Sequence, residues 1–155
     1  MKLAAHEEYG LRCLLQIGSE WPSGSLTIPE VSRKEGISIP YAGKILQLLR
    51  QGGFLKSVRG QTGGYTLALP PEEIVIRDVL DVLGGRLYRE DFCRSHKGNE
   101  ESCTHGTDCA IRSLWRTVQG AVDEVLGRTT LKDLLRKEQE MTSWLHELVP
   151  LETRQ

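Results

Sequence analysis

The sequence predicts a mainly α-helical chain with one small β-hairpin, arranged as a winged helix-turn-helix domain plus a long dimerisation helix. Three observations lead there. Two short, capped helical patterns are joined through a glycine, two strand-like runs separated by a glycine-rich turn follow them, and a stripe of apolar residues at 3- and 4-residue intervals comes late in the chain.

The 155 residues suffice for one compact domain, or for a small domain with an oligomerisation arm, and not for two large independent domains. A hydrophobic fraction of 39% and a charged fraction of 26% are ordinary globular values and set aside disordered and collagen-like classes. No run approaches the roughly 18 apolar residues of a membrane span, and the start "MKLAAHEEYG" turns acidic where a signal peptide would turn apolar. A cytoplasmic location without membrane partners is therefore expected, where clustered cysteines point to metal binding or redox chemistry before disulfides. The net charge of -1 conceals an asymmetry: residues 1–69 carry a net +3 and residues 70–155 a net -4. The first part is the one suited to a polyanion.

The first helix is expected around "YGLRCLLQIG", where Leu11, Leu14, Leu15 and Gly18 recur at helical spacing until "WPSG" breaks it. Cys13 within it reads as a small packing residue. In "SLTIPEVSRKEG", Thr27 is an N-cap, Pro29 sits in the first turn, Glu30 completes a capping box, and Gly36 supplies a left-handed C-terminal residue. In "ISIPYAGKILQLLRQGG", Ser38 caps a third helix with Pro40 in its first turn and Ile45, Leu48 and Leu49 on one face. The runs "FLKSVRG" and "GGYTLAL", parted by "QT", read as a hairpin with Arg59 near its tip. "IVIRDVLDVLGG" reads as a strand leading into a short helix that closes near Gly84 and Gly85. Beyond an irregular cysteine-bearing stretch, Ile111, Leu114, Val118, Ala121 and Val125 form a heptad stripe expected to pack on a partner helix. Thr130 then caps one further packing helix, from Thr130 to Leu148. The expected organisation is a DNA-binding unit over 1–85, a cysteine-rich loop over 86–109, and dimerisation and packing helices over 110–148.

A helix-turn-helix sets its second helix into the major groove, with N-terminal residues at base edges and basic side chains on phosphates. That entry end carries Ser38, Pro40, Tyr41 and Lys44. Tyr41 is a candidate for base or sugar contact, or alternatively for packing on the turn. Arg50 and Lys56 are candidate phosphate partners, and Arg59 is placed where a wing would carry it toward the minor groove.

Cys93, Cys103 and Cys109 lie in "FCRSHKGNEESCTHGTDC". Zinc sites bring cysteines in pairs two to four residues apart, and no such pair occurs here. The wide spacing suits an iron-sulfur cluster best, with zinc, a thiol-disulfide sensor or inert thiols as alternatives. Gly98 and Gly106 let the loop curl, and Arg94, Lys97 and Arg112 are placed to offset thiolate charge. No Ser/His/Asp set, phosphate loop or acid-base pair is recognisable, so a non-enzymatic role is expected.

Together "EEYGLRCLLQI", "SIPYAGKILQLLRQGGFLKSVRGQTGGYTLALPPEEI", the three-cysteine loop and the heptad helix resemble the IscR and NsrR type of iron-sulfur winged-helix transcriptional regulators, over nearly the whole chain. The resemblance implies a homodimer on a near-palindromic double-stranded DNA operator, with a cluster on Cys93, Cys103 and Cys109, of the [2Fe-2S] type by the family's habit, that senses iron-sulfur status, oxidants or nitric oxide. The chain departs from the IscR pattern in a longer first cysteine gap and in Arg112, which stands where IscR has its histidine. A fourth ligand is therefore sought at Glu8, which is favoured because it would join the cluster to the DNA-binding domain, or at His96 or His105. The alternative is a cluster-free or zinc-binding winged-helix module acting through a metabolic enzyme.

Overall fold

The computed structural model of the chain describes residues 3–61, 63–106 and 108–149. Helix α1 (Ala5–Gly18) buries Gly10, Cys13, Leu14, Ile17 and Gly18. Leu11 and Leu15 are half-buried at the edge of that face. Helix α2 (Ile28–Glu35) starts where expected, because the Thr27 Oγ1 accepts from the Glu30 amide (3.4 Å) while the Glu30 carboxylate accepts from the Thr27 amide (2.7 Å). This reciprocal pair satisfies two donors that the first helical turn would leave orphaned. Gly36 ends α2 at φ +66°, and Ser38 opens α3 (Ile39–Gln51) by accepting from the Tyr41 amide at 3.3 Å.

Helix α3 buries Ala42, Ile45, Leu46 and Leu49 against α1 and α2; Leu48 is half-buried beside them. Strands β1 (Leu55–Val58) and β2 (Gly64–Leu67) pair antiparallel, with Leu55 opposite Leu67 and Val58 opposite Gly64. Leu26 extends this sheet by exchanging both backbone hydrogen bonds with Tyr65, at 3.0 and 2.7 Å. The wing is thus tied to the segment that leads into α2. Thr62, in the expected hairpin turn, lies outside the described residues.

Two expectations need correction. The strand expected before the fourth helix is a single bridge from Val75 to Thr130, preceded by a 3-10 turn at Pro71–Glu73. Its pairing partner has no room to extend, since Thr130 immediately caps a helix. The helix itself, α4 (Ile76–Leu83), ends at Gly84 with φ +92° as expected. The single helix expected from Thr130 to Leu148 is two: α7 (Leu131–Leu134) and α8 (Glu138–Leu148). Leu131 is fully buried in the N-terminal core, so α7 is docked there, whereas α8 buries none of its residues.

Between these parts lie α5 (Phe92–Ser95), inside the cysteine stretch, and α6 (Ala110–Gly127). The core unites Cys13, Leu14, Ile17, Ile45, Leu46, Leu49, Leu67, Ile74, Val79 and Leu131. Each such aliphatic side chain contributes about 1.5–3 kcal/mol relative to exposure. No helix among the described residues is long and apolar enough to cross a membrane.

Candidate nucleic-acid interface and cysteine loop

Ser38, Pro40 and Lys44 are exposed at the entry end of α3, and Arg50 is exposed in its last turn. Lys56 is exposed on β1 opposite Thr66, and Arg59 is exposed just past Val58 where the hairpin turns. The two short helices and the wing therefore present these six side chains outward. Tyr41 behaves differently. Its ring meets Tyr9 edge-on at 6.0 Å and lies 6.2 Å from His6, so it packs back onto α1. Tyr9 in turn carries the Arg12 guanidinium 5.3 Å from its ring centre, and Arg12 pairs at 2.8 Å with Glu35, whose side chain is almost wholly buried. The sequence offered no sign of this chain of contacts, because its members are scattered over three helices.

The cysteine loop brings together residues that are distant in sequence. Cys93, Cys103 and Cys109, each half-buried, line one cavity of about 180 Å³ with His96, His105 and Trp115 among its other walls. Gly98 and Gly106 both adopt left-handed backbone, at φ +69° and +58°, and let the loop fold back on itself. His96 stacks on Phe92 at 4.0 Å, and its Nδ1 lies 2.8 Å from the Phe92 carbonyl oxygen. That contact suits an Nδ1–H donor, which leaves Nε2 with the lone pair. The Tyr88 hydroxyl is 3.9 Å from the Cys93 sulfur, and Arg112 donates to the Gly106 carbonyl.

The chemistry of this donor set, three thiols and two imidazoles around one small cavity, suits a sulfur-rich metal cofactor. Among the described residues, however, no three His, Cys, Asp or Glu side chains are already drawn together tightly enough to form a metal-holding group. Glu8 is exposed on α1 and is not part of the cavity wall within one chain.

The loop is anchored on both sides. Gln119, the residue of α6 that is fully buried (7% exposed), accepts from the Tyr88 amide at 2.9 Å and donates to Asp123 at 2.8 Å. Arg86 pairs with Asp81 of α4 at 2.8 Å and with Asp123 of α6 at 3.7 Å. Asp81 first, through its hydrogen bond, holds Arg86 above the usual guanidinium value. Cys109 is the capping residue of α6. Sequence reasoning missed Gln119 and Arg86; a glutamine and an arginine in polar surroundings carry no signal of an anchoring role.

A helix-turn-helix followed by a paired wing, with a thiol-lined loop leading into a long helix, defines a winged-helix DNA-binding regulator. The Rrf2 family model, described as an iron-dependent transcriptional regulator, matches residues 3–137. The chain belongs to the Rrf2 family. It is 30% identical over 135 residues to the HTH-type transcriptional regulator IscR of Aliivibrio salmonicida (strain LFI1238), covering 87% of this chain and 77% of that protein. It is 31% identical over 134 residues to the HTH-type transcriptional regulator CymR of Bacillus subtilis (strain 168), covering 86% and 89% of the two chains. Among solved structures, T. potens IscR superposes with a TM-score of 0.69 at 25% identity, covering 100% of this chain and 93% of that one. These relatives are named as regulators of transcription, and the chain's role is DNA-binding regulation rather than catalysis.

Proposed function

We propose that the chain is a homodimeric regulator whose affinity for a near-palindromic double-stranded DNA operator is set by an iron-sulfur cluster, of the [2Fe-2S] type, on Cys93, Cys103 and Cys109. The observation that carries this reading is the convergence of the three thiols on one cavity at the start of α6. Glu8 of a second copy, or His96 or His105 of the same chain, completes the ligand set. A bound cluster would supply one-electron redox chemistry and sensitivity to oxidants and nitric oxide.

The chain's own residues provide the coupling. Cys109 joins the cavity to α6, while Arg86 and Gln119 tie the loop to α4 and α6. A rearranged loop therefore moves the winged helix, residues 1–85 with α7 docked in its core, relative to α6, and so alters the distance between two reading helices. On the DNA side, Lys44, Arg50 and Lys56 meet phosphate or base edges beside Ser38 and Pro40, with Tyr41 holding the entry turn against α1, and Arg59 enters the minor groove.

The test is iron and acid-labile sulfide analysis with a visible spectrum on protein prepared without oxygen. Iron and sulfide in equal amounts, lost on Cys→Ser substitution at 93, 103 and 109, is the expected result; stoichiometric zinc without sulfide would overturn it. A second reading is favoured by the lack of a drawn-together metal group among the described residues. On that reading the module is cluster-free or zinc-bound and acts through a metabolic enzyme partner, and the absence of salt-dependent operator binding would support it.

A further inference from the structure

We infer that Gln47 is a base-specificity residue that reads an adenine edge through its carboxamide, and that position 43 is glycine to leave that edge room. The inference rests on the DNA-reading function proposed above and assigns it a residue.

Helix α3 has one face wholly given to the core: Ala42, Ile45, Leu46 and Leu49. Directly opposite, at spacings of four, three and four, run Pro40, Lys44, Gln47 and Gln51, all exposed. Arg50 is also exposed but lies about a quarter turn away from that stripe. Past the entry turn, the centre of the outward face is therefore Lys44 and Gln47. Among the described residues no hydrogen bond or ion pair engages the Gln47 carboxamide.

Gly43 is the second observation. A glycine in a helix interior is less favourable than alanine by about fivefold in the folding equilibrium, so its presence asks for a reason. Packing gives none: a Cβ at Gly43 would meet the Ile28 methyl groups at 3.7 and 3.8 Å, ordinary contact distances. Conformation gives none either, because Gly43 keeps the helical backbone and is not among the glycines of positive φ. Its effect is on the outer surface. Side chains on a helix lean toward its N-terminus, so Gln47 leans toward position 43, where apart from Ile28 and the chain neighbours no side chain lies within 4 Å of the Cβ that Gly43 lacks. The missing side chain leaves a notch through which a base edge can approach, and it lets the carboxamide swing toward the entry end of the helix. A glutamine amide offers one donor and one acceptor in a plane, which matches the N7 and N6 amine of adenine. Lys44 beside it is suited to guanine or phosphate.

The experiment is selection from a randomised duplex library with the full chain, prepared without oxygen, as wild type, Gln47→Ala, Gln47→Glu and Gly43→Ala. The wild type is expected to enrich a two-fold motif with an adenine in each half-site. Gln47→Ala loses discrimination at that position by about tenfold while the salt dependence of binding stays the same. Gln47→Glu shifts the preference toward cytosine, whose N4 amine a carboxylate accepts. Gly43→Ala melts at a higher temperature yet binds the wild-type motif about tenfold more weakly. Identical preferences for wild type and Gln47→Ala would overturn the assignment of Gln47, and undiminished affinity of Gly43→Ala would overturn the role of the notch. A wild-type chain that enriches no motif would overturn the DNA-reading function itself, and this inference with it.

Discussion

Arg59 and Cys13 show how differently two side chains of this domain are placed for chemistry. Arg59 is exposed at the hairpin end and contributes nothing to the core, so Arg59→Ala is expected to leave thermal stability unchanged while weakening operator binding by about 1–3 kcal/mol, read by a mobility shift at fixed salt. Equal affinity would remove the wing from the interface. Cys13 is fully buried, and burial first, with the Glu35 carboxylate second, pushes its thiol from 9.0 up to about 12. It stays protonated at neutral pH and is a poor nucleophile. Alkylation of the metal-free native chain at about pH 8 should modify Cys93, Cys103 and Cys109 and spare Cys13 until the protein unfolds, as mass spectrometry would report. The folded value lies above the unfolded one, so the unfolded chain releases this proton first and Cys13 withdraws stability as pH rises from about 9 toward 12.

At the scale of elements, the wing depends on how closely β2 passes the segment before α2. A Cβ on Gly64, which has φ +152°, would stand 2.4 Å from the Leu26 carbonyl oxygen, where the backbone cannot yield without breaking the Leu26–Tyr65 pair. Gly64→Ala is expected to destabilise the fold by roughly 2–4 kcal/mol, seen as a lower melting temperature by circular dichroism; an unchanged melt would mean that the pair is dispensable. Elements of this domain were legible in sequence where their determinants are local. Thr27 with Glu30, Gly36 and Ser38 each act within one turn, and each sits where its chemistry indicates. What escaped is non-local. Val75 pairs with Thr130 only because the whole domain folds, and Tyr88 finds Gln119 across 31 positions. The split between α7 and α8 was hidden because neither glycine nor proline marks it; docking of Leu131 in a distant core determines it. The three loop cysteines were visible by type, and their shared cavity follows from the fold of the loop rather than from spacing.

For the whole molecule, the decisive question is what covers α6. Its heptad stripe is legible in sequence, yet within one chain Ile111 is 53% and Leu114 55% exposed, Ala121 is exposed, and Val118 and Val125 are half-buried. A stripe of that period fits a like helix better than it fits water, and α6 meets the N-terminal core through Leu126 near its end rather than through the stripe. Pairing two copies along α6 would give the molecule the two-fold symmetry that a palindromic operator demands. Leu114→Glu places a carboxylate within the proposed apolar seam and should yield monomers by light scattering with an intact helical spectrum. A monomer holds one half-site alone, so operator affinity should fall on the order of 100-fold or more with the loss of bivalent contact. Retention of the dimer would place the subunit contact elsewhere, and loss of the dimer with full operator affinity would separate DNA reading from two-fold symmetry.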